Sequence, residues 1–147
     1  MFWKKVNSSL QRIAEWCNVN KLAFNYSKTN FMIFAPKYCK ETPIFNYNIE
    51  LNSHKLTKPN CIKYLGVFMD EGLTWATHID HVCNKLKACI PLFYKARQIV
   101  SSDCLVQIFQ SFAYSNISYA CEVYGNANET VLKRLHTTCN RLLRVML

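Results

Sequence analysis

Apolar residues in the second half of the chain recur at the spacing of an α-helix, and this period constrains the fold more than any other feature. Three stripes follow one another: Ile79, Val82, Leu86, Ile90 and Phe93; Leu105, Ile108, Phe109 and Phe112; Val131, Leu132, Leu135, Cys139, Leu142 and Met146. Apolar residues at such intervals lie on one face of a helix and need a partner surface. The sequence therefore predicts a three-helix array from Thr74 onward.

Capping residues and one proline mark the ends of these helices. Thr74 or Thr77 can cap the first helix, and Ser101 or Ser102 can cap the second, because a side-chain oxygen there satisfies a free backbone N–H. Pro91 lies inside the first helix. A proline inside a helix lacks the N–H and crowds the preceding turn, so we expect a kink or a division there.

The first half of the chain mixes one helix with short strands. Apolar residues at helical spacing predict a helix from near the start to about Lys21. Strand patterns follow at Phe31–Phe34, at Asn48–Leu51 and Lys55–Thr57 as a hairpin, and at Cys61–Met69. The predicted class is α+β: a small antiparallel sheet with one helix, followed by the three-helix array.

Gly66 lies in the middle of the last predicted strand. A glycine inside a strand gives up packing and conformational entropy, so the backbone usually needs to be bare at that point. Two explanations stay open from the residues alone. Either a ligand lies against the backbone at Gly66, or the glycine marks a bulge or a close crossing within the protein.

The charge of the chain favours a polyanionic partner. Among 147 residues, 18 are Lys or Arg and 9 are Asp or Glu, so the formal net charge is +9. Such an excess favours nucleic acid first and an anionic membrane surface second. The alternative is a protein that is merely basic.

The N-terminal segment is not a signal peptide, because charged residues interrupt every apolar stretch, and no run is long enough to span a membrane. We therefore expect an intracellular protein whose eight cysteines are reduced. The tightest group of metal-ligating types is His78, His81, Cys83 and Cys89. Two histidines three apart on a helix suit zinc, but Cys83 points off that face, so we predict no metal site; a zinc-stabilised interaction protein stays an alternative.

Four segments carry a resemblance to a known family. WCNVNKLAFNYSKTNFMIF, IKYLGVFMDEGLTWATHIDHVCNKL, SFAYSNISYACEVYG and LHTTCNRLLRV occur in this order and cover nearly the whole chain. Together they resemble the region downstream of the catalytic aspartates in reverse transcriptases of non-LTR retrotransposons, especially jockey-like and CR1-like elements. The resemblance implies that residues 1–69 form the rear part of a polymerase palm, and that residues 70–147 form a helical thumb, truncated at its C-terminal end.

The resemblance also assigns candidate site residues. It implies that Lys63, Tyr64, Leu65, Gly66 and Val67 belong to the primer grip, which would hold the primer end of an RNA template–DNA primer duplex. The basic residues of the thumb helices are Lys85, Lys87, Lys95 and Arg97 on the first and Lys133, Arg134, Arg141 and Arg144 on the last. Of these, we expect Lys85, Lys87, Lys133, Arg134 and Arg141 to contact nucleic acid. Each of these also suits a solvated helix face.

Lys28 matches the lysine of an N-x-x-K-T element in the family. The resemblance implies that this lysine lies near the departing pyrophosphate and donates a proton to it, which offsets the charge that builds on a leaving phosphate. Asn25 and Thr29 are expected to hold the loop by bonds to local backbone. The alternative is a solvated lysine in a turn.

One departure from the family pattern concerns the metal site. Polymerases of this family need two Mg²⁺ ions held by carboxylates, including a paired Asp-Asp. This chain has no such pair; its aspartates are Asp70, Asp80 and Asp103. We therefore expect a fragment that lacks the fingers and the front of the palm, holds no cofactor and does not polymerise alone. A free-standing basic module that binds nucleic acid without catalysis is the alternative.

Overall fold

The computed structural model describes residues 2–34 and 48–146. The chain divides into two compact units, Met1–Ile62 and Lys63–Leu147, and the division falls inside strand β3 (Cys61–Tyr64). Residue 69, the end of the palm segment that the resemblance implies, lies in the second unit. The assignment of palm and thumb stays a prediction.

The first unit places one helix on a small hairpin. Helix α1 (Phe2–Val19) packs against strand β1 (Glu50–Leu51), which pairs antiparallel with strand β2 (His54–Lys55). Asn7 on α1 fixes the contact, since its amide donates to the Asn48 carbonyl (2.9 Å) and accepts from the Glu50 N–H (3.4 Å). The predicted hairpin is confirmed.

The core of the first unit is small. Ala14, Ile49, Leu51 and Leu56 are buried in it, and Val6, Leu10, Phe24, Tyr26 and Phe31 pack around them. The predicted strand at Phe31–Phe34 is wrong, because a strand needs a hydrogen-bonded partner along its length. Here the pairing stops at one parallel bridge from Asn30 to Thr57, in which the Phe31 N–H donates to the Thr57 carbonyl (3.1 Å).

The second sheet is a hairpin of β3 and strand β4 (Val67–Asp70). The single predicted strand Cys61–Met69 is therefore wrong. Leu65 and Gly66 form the two-residue turn, with φ of 46° and 85°. Positive φ at both central positions is the geometry of a type I′ turn, whose twist suits antiparallel strands. The apolar run through Leu65 concealed this turn from sequence analysis.

Five helices follow, and they bury one continuous core. They are α2 (Ala76–Ala96), α3 (Ser102–Phe109), α4 (Ser115–Ser118), α5 (Cys121–Tyr124) and α6 (Glu129–Met146). A π-helical turn, Gln110–Tyr114, joins α3 to α4. Ser101 caps α3 as predicted, since its hydroxyl accepts from the Cys104 N–H. Pro91 does not divide α2. Core residues with no exposed surface include Ile79, Leu86, Phe93 and Leu142.

The observed class is α+β, as predicted, although the described part of the chain has two separate two-stranded sheets in place of the single sheet. The three predicted helical stripes correspond to α2, to the α3–α4 segment and to α6. No helix within residues 2–34 and 48–146 combines the length and the apolar character that crossing a membrane requires.

Candidate nucleic-acid interface

Helices α2 and α6 pack together and border an open groove of about 490 Å³, here called the α2–α6 groove. Eight of the nine residues that line it, all except Cys83, are of polar or charged type: Asp80, Cys83, Lys87, Thr130, Lys133, Arg134, Thr137, Thr138 and Arg141. Helix geometry explains this set, because residues three, four or seven apart lie on the same face. Four of the five thumb cations predicted from the sequence therefore meet in one groove.

Asp80 pairs with Arg134 inside the groove. The Arg134 Nη1 lies 2.7 Å from the Asp80 Oδ1, and about half of each side chain is exposed. An exposed pair of this kind adds little stability, because water solvates both charges when it opens. A guanidinium has five N–H donors, so this contact leaves others for an anion in the groove. The net charge of the lining is positive.

Two of the three threonine hydroxyls of the groove already donate to the helix that carries them. Thr137 donates to the Lys133 carbonyl (2.8 Å) and Thr138 to the Arg134 carbonyl (2.9 Å). Their hydroxyl hydrogens are therefore engaged within α6. The donors that an incoming anion can use in this groove are mainly the ammonium and guanidinium groups.

Lys85, the fifth predicted thumb cation, lies outside the groove. Two positions along a helix turn the direction of the side chain by about 200°, so Lys85 and Lys87 point to opposite sides of α2. Lys85 Nζ donates to the Asn116 Oδ1 (3.1 Å) on α4. Lys63 Nζ lies 5.4 Å from the centroid of the Phe68 ring. These two lysines belong to a second basic area beside the β3–β4 hairpin.

His81 lies close enough to both lysines of this area to feel their charges. Its ring meets Phe68 edge to face, with centroids 4.9 Å apart. Burial lowers the pKa of His81, and the positive charges of Lys85 and Lys63 lower it further. Neither lysine forms an ion pair with any residue that the structure describes. Their charge therefore remains available to an outside anion.

The space beside the Gly66 backbone is taken by Tyr119. A Cβ built on Gly66 would lie 3.2 Å from the Tyr119 Cε1, which is tighter than ordinary van der Waals contact. The Tyr119 hydroxyl donates to the Leu65 carbonyl. Of the two explanations for this glycine, the structure shows a close approach by a side chain of the protein itself. Of the other residues predicted for the primer grip, Lys63, Tyr64 and Leu65 are exposed, and Val67 is buried in the core.

Lys28 ends a short 3₁₀ helix, Tyr26–Lys28, and is exposed. Asn25 caps this turn, since its side-chain oxygen accepts from the Lys28 N–H (3.2 Å). Thr29 donates from its hydroxyl to the Asn25 carbonyl (2.8 Å). Asn25 and Thr29 therefore hold the loop as predicted, whereas the role of Lys28 toward pyrophosphate stays a prediction.

His78 is a buried member of the His/Cys group. Its Nδ1 lies 3.4 Å from the Phe68 backbone nitrogen, whose N–H donates to it, and its ring packs 5.0 Å from the Tyr124 ring. Among the residues that the structure describes, the Nε2 has no hydrogen-bond partner. Burial lowers the pKa of His78, as do the charges of His81 and Lys85. Within the described residues, no three His, Cys, Asp or Glu side chains are arranged to hold a metal ion.

The carboxylate of Asp70, the last residue of β4, accepts hydrogen bonds from the turn that follows the strand. Its carboxylate accepts from the backbone N–H groups of Gly72, Thr74 and Trp75 and from the Thr74 hydroxyl, at 2.9–3.1 Å. Burial raises the pKa of Asp70, but these hydrogen bonds outweigh it and the net pKa is lowered. The carboxylate of Asp70 is thus engaged within the turn that follows β4.

Two of the residues that shape these surfaces, Asp80 and Asn116, were not among the site residues predicted from the sequence. Asp80 lies seven residues before Lys87, so helical spacing could have placed it on the basic face. Asn116, the partner of Lys85, is 31 positions away along the chain. No local signal relates those two residues, and their contact exists only through the tertiary fold.

The chain is similar to three curated proteins. It is 26% identical over 138 residues to the probable RNA-directed DNA polymerase from transposon X-element of Drosophila melanogaster, and 29% identical over 138 residues to the RNA-directed DNA polymerase from mobile element jockey of Drosophila funebris. Each alignment covers 92% of this chain but only 15% and 14% of the relative. The jockey protein of Drosophila melanogaster is 26% identical over 99 residues, 65% of this chain.

No protein-family profile and no solved structure matches the chain. The two alignments that cover 92% of the chain include nearly all of the four segments on which the resemblance was based. The resemblance is therefore confirmed at the level of the family: the chain is similar to the RNA-directed DNA polymerases of jockey and X-element non-LTR retrotransposons.

Proposed function

We propose that the chain is a nucleic-acid-contacting segment of a retrotransposon RNA-directed DNA polymerase, and that the α2–α6 groove binds the phosphodiester backbone of a template–primer duplex. The observation that carries the proposal is the convergence of Lys87, Lys133, Arg134 and Arg141 on one groove. Phosphate contacts by Lys and Arg release counterions from the duplex, which supplies most of the affinity of sequence-independent binding.

The shape of the groove suits a backbone rather than a small ligand. The groove is open along its length, and its exposed cations lie on the two long helices that border it. An extended polyanion can contact several such cations at once, whereas a single small anion contacts only a few. The relatives' names supply the polymer class, because an RNA-directed DNA polymerase acts on RNA and DNA strands.

Fluorescence anisotropy with an RNA–DNA duplex at several salt concentrations tests the proposal. The wild-type affinity is expected to fall linearly on a log–log plot, with a slope of several units. Arg141→Gln removes one groove cation and is expected to reduce the slope by about one. Arg144→Gln is the matched control, because Arg144 is an exposed arginine on the same helix that does not line the groove.

Two outcomes would overturn this assignment. Binding that does not depend on salt would show that phosphate contacts are not its source. Equal slopes for Arg141→Gln and Arg144→Gln, both lower than the wild-type slope, would show that charge anywhere on α6 suffices and that the groove has no special role.

The proposal assigns contact with nucleic acid, and not catalysis, to this chain. Its three aspartates include no adjacent pair, and the carboxylate of Asp70 is engaged by its own turn. A primer-extension assay with Mg²⁺ and the isolated chain is therefore expected to yield no product. Extension of the primer would overturn this part of the proposal, and it would leave the groove assignment to be judged by the salt series.

A further inference from the structure

We infer that Tyr119, together with the tip of the β3–β4 hairpin, forms a stacking site for an unpaired nucleobase. The inference rests on the nucleic-acid binding proposed above and adds a second kind of contact to it. The residues concerned are here called the hairpin surface: Lys63, Leu65, His81, Lys85 and Tyr119.

Tyr119 is held in place and yet exposed. Its hydroxyl donates to the Leu65 carbonyl, and its Cε1 side lies against the bare backbone of Gly66. Even so, 55% of its surface faces solvent. A ring fixed at its hydroxyl end loses little further conformational freedom when a ligand covers the rest of it, so binding costs less than it would for a freely rotating side chain.

Leu65, whose carbonyl accepts from the Tyr119 hydroxyl, is a large apolar residue and is 73% exposed. An exposed apolar side chain next to a fixed, exposed aromatic ring suits an apolar or aromatic partner. A nucleobase presents a flat π-face of this kind, and stacking on aromatic side chains is tolerant of base identity.

The charges beside the ring favour a nucleic acid over a protein partner. Lys63 and Lys85 flank His81, and neither lysine forms an ion pair among the described residues. Lys85 is also anchored to Asn116, one helical turn before Tyr119, so its ammonium belongs to the same surface as the ring. Cations near an aromatic platform match the alternation of phosphates and bases along a strand.

An unpaired base is favoured because both of its faces can become free. Inside a duplex, neighbouring bases cover both faces, and a side chain reaches only the edges and the backbone. The hairpin surface thus fits a single-stranded overhang or a frayed end. The α2–α6 groove, which lacks an aromatic lining, fits the duplex backbone instead.

The experiment compares three oligonucleotide ligands by fluorescence anisotropy with the full chain. One is a blunt RNA–DNA duplex, the second carries a short thymidine overhang, and the third carries an abasic overhang with the same phosphates. The thymidine overhang is expected to bind about fivefold to tenfold more tightly than the abasic one, as stacking of one base predicts. The abasic ligand accounts for charge, so the difference reports the base.

Tyr119→Ala is expected to abolish the advantage of thymidine over the abasic overhang. Tyr114→Ala is the matched control, because Tyr114 is also 55% exposed and lies in the π-helical turn, outside the hairpin surface. Tyr119→Phe keeps the ring and loses only the bond to Leu65, so most of the advantage is expected to remain. This variant separates stacking from a general loosening of the hairpin.

Equal affinity of the wild-type chain for the thymidine and abasic overhangs would overturn the inference. So would a thymidine advantage that survives in Tyr119→Ala. Failure of the proposed groove function has a different signature, namely the loss of salt-dependent binding to the blunt duplex. The thymidine and abasic strands can then still be compared as single strands.

Discussion

The α2–α6 groove and the hairpin surface are both basic, but they are assembled in different ways. Two long helices build the groove, and each contributes residues that helical spacing places on one face. Three elements build the hairpin surface, and long-range hydrogen bonds from Tyr119 to Leu65 and from Lys85 to Asn116 tie them together. Local periodicity therefore creates the first surface, whereas tertiary contacts create the second. The first should tolerate changes that disrupt the second.

The largest expected effect is at Asp70, where the hairpin meets the segment that leads into α2. Asp70→Ala removes the acceptor for three backbone N–H groups and one hydroxyl, which we expect to lower the free energy of unfolding by about 2 to 3 kcal/mol. Urea unfolding measures the change. Asp70→Asn keeps one acceptor oxygen and should cost less; equal losses from both variants would show that the hydrogen bonds are not the cause.

Acid should weaken the contribution of Asp70. Its folded pKa lies below the ordinary value of 3.8, so the unfolded state binds a proton more readily. The stabilisation is therefore fully present above the unfolded pKa and is lost as the pH falls through the folded pKa. In Asp70→Asn this carboxylate no longer titrates, so the free energy of unfolding should fall less steeply at acid pH than in the wild type. An equally steep fall in that variant would contradict the assignment.

The next effect concerns the turn that seats Tyr119. Gly66→Ala places a Cβ at a φ of 85° and against the Tyr119 ring, which we expect to cost about 1 to 2 kcal/mol of unfolding free energy. Leu65→Asn should act in the opposite direction, because Asn suits the positive φ of 46° and Asn-Gly is a preferred type I′ turn. Urea unfolding checks both signs.

The same Gly66→Ala variant tests whether the two surfaces are independent. The thymidine advantage over the abasic overhang should fall, because Tyr119 is displaced. The salt slope for the blunt duplex should stay at the wild-type value, because the groove is lined by residues of α2 and α6 and not by the turn. A variant that loses both properties in parallel would show that the α2–α6 groove and the hairpin surface are coupled and not independent.

The residues that share the groove could be predicted from the sequence better than those of the hairpin surface, for a physical reason. Lys133 and Arg141 could be placed because α6 is one regular element, and its period fixes which residues share a face. The turn at Leu65–Gly66 was missed because a leucine at positive φ is uncommon, and the apolar run around it has the pattern of a strand. Tyr119 lies 54 residues from Leu65, and nothing local in the sequence indicates their bond.

The strand predicted at Phe31–Phe34 failed for a related reason. Apolar and aromatic residues favour a strand only where a neighbouring backbone offers donors and acceptors in register. That information depends on the whole fold. Asn25 and Thr29, in contrast, were predicted correctly because their hydrogen bonds join residues within one turn.

A smaller effect is expected from the protonation of His78. Its pKa is lowered by burial and by nearby positive charge, so the unfolded state, with the ordinary value of 6.5, binds the proton more readily. Stability should therefore fall as the pH drops below 6.5, until the folded pKa is passed. A protonated Nδ1 cannot accept from the Phe68 N–H, so β4 should loosen first.

Hydrogen exchange at the Phe68 amide, measured at pH 7.5 and pH 5.5, checks this order. The hairpin amides should lose protection at the lower pH before those of α6, after correction for intrinsic exchange rates. His78→Gln should flatten the dependence, and His136→Gln, which removes an exposed histidine of α6, is the control. Equal loss of protection along both elements would instead indicate global unfolding and would contradict a role for the contact between His78 and Phe68.

The smallest effect on stability, and the sharpest test of the groove, is expected at Asp80. Asp80→Asn opens an exposed ion pair, so the free energy of unfolding should change by no more than about 0.5 kcal/mol. Duplex binding should nevertheless tighten about twofold to fivefold at low salt, because a repelling carboxylate is gone and Arg134 is free to meet phosphate. Asp103→Asn, which removes an exposed acid outside the groove, controls for net charge. Weaker binding by Asp80→Asn alone would show the reverse relation, in which the carboxylate holds the guanidinium in position for the phosphate.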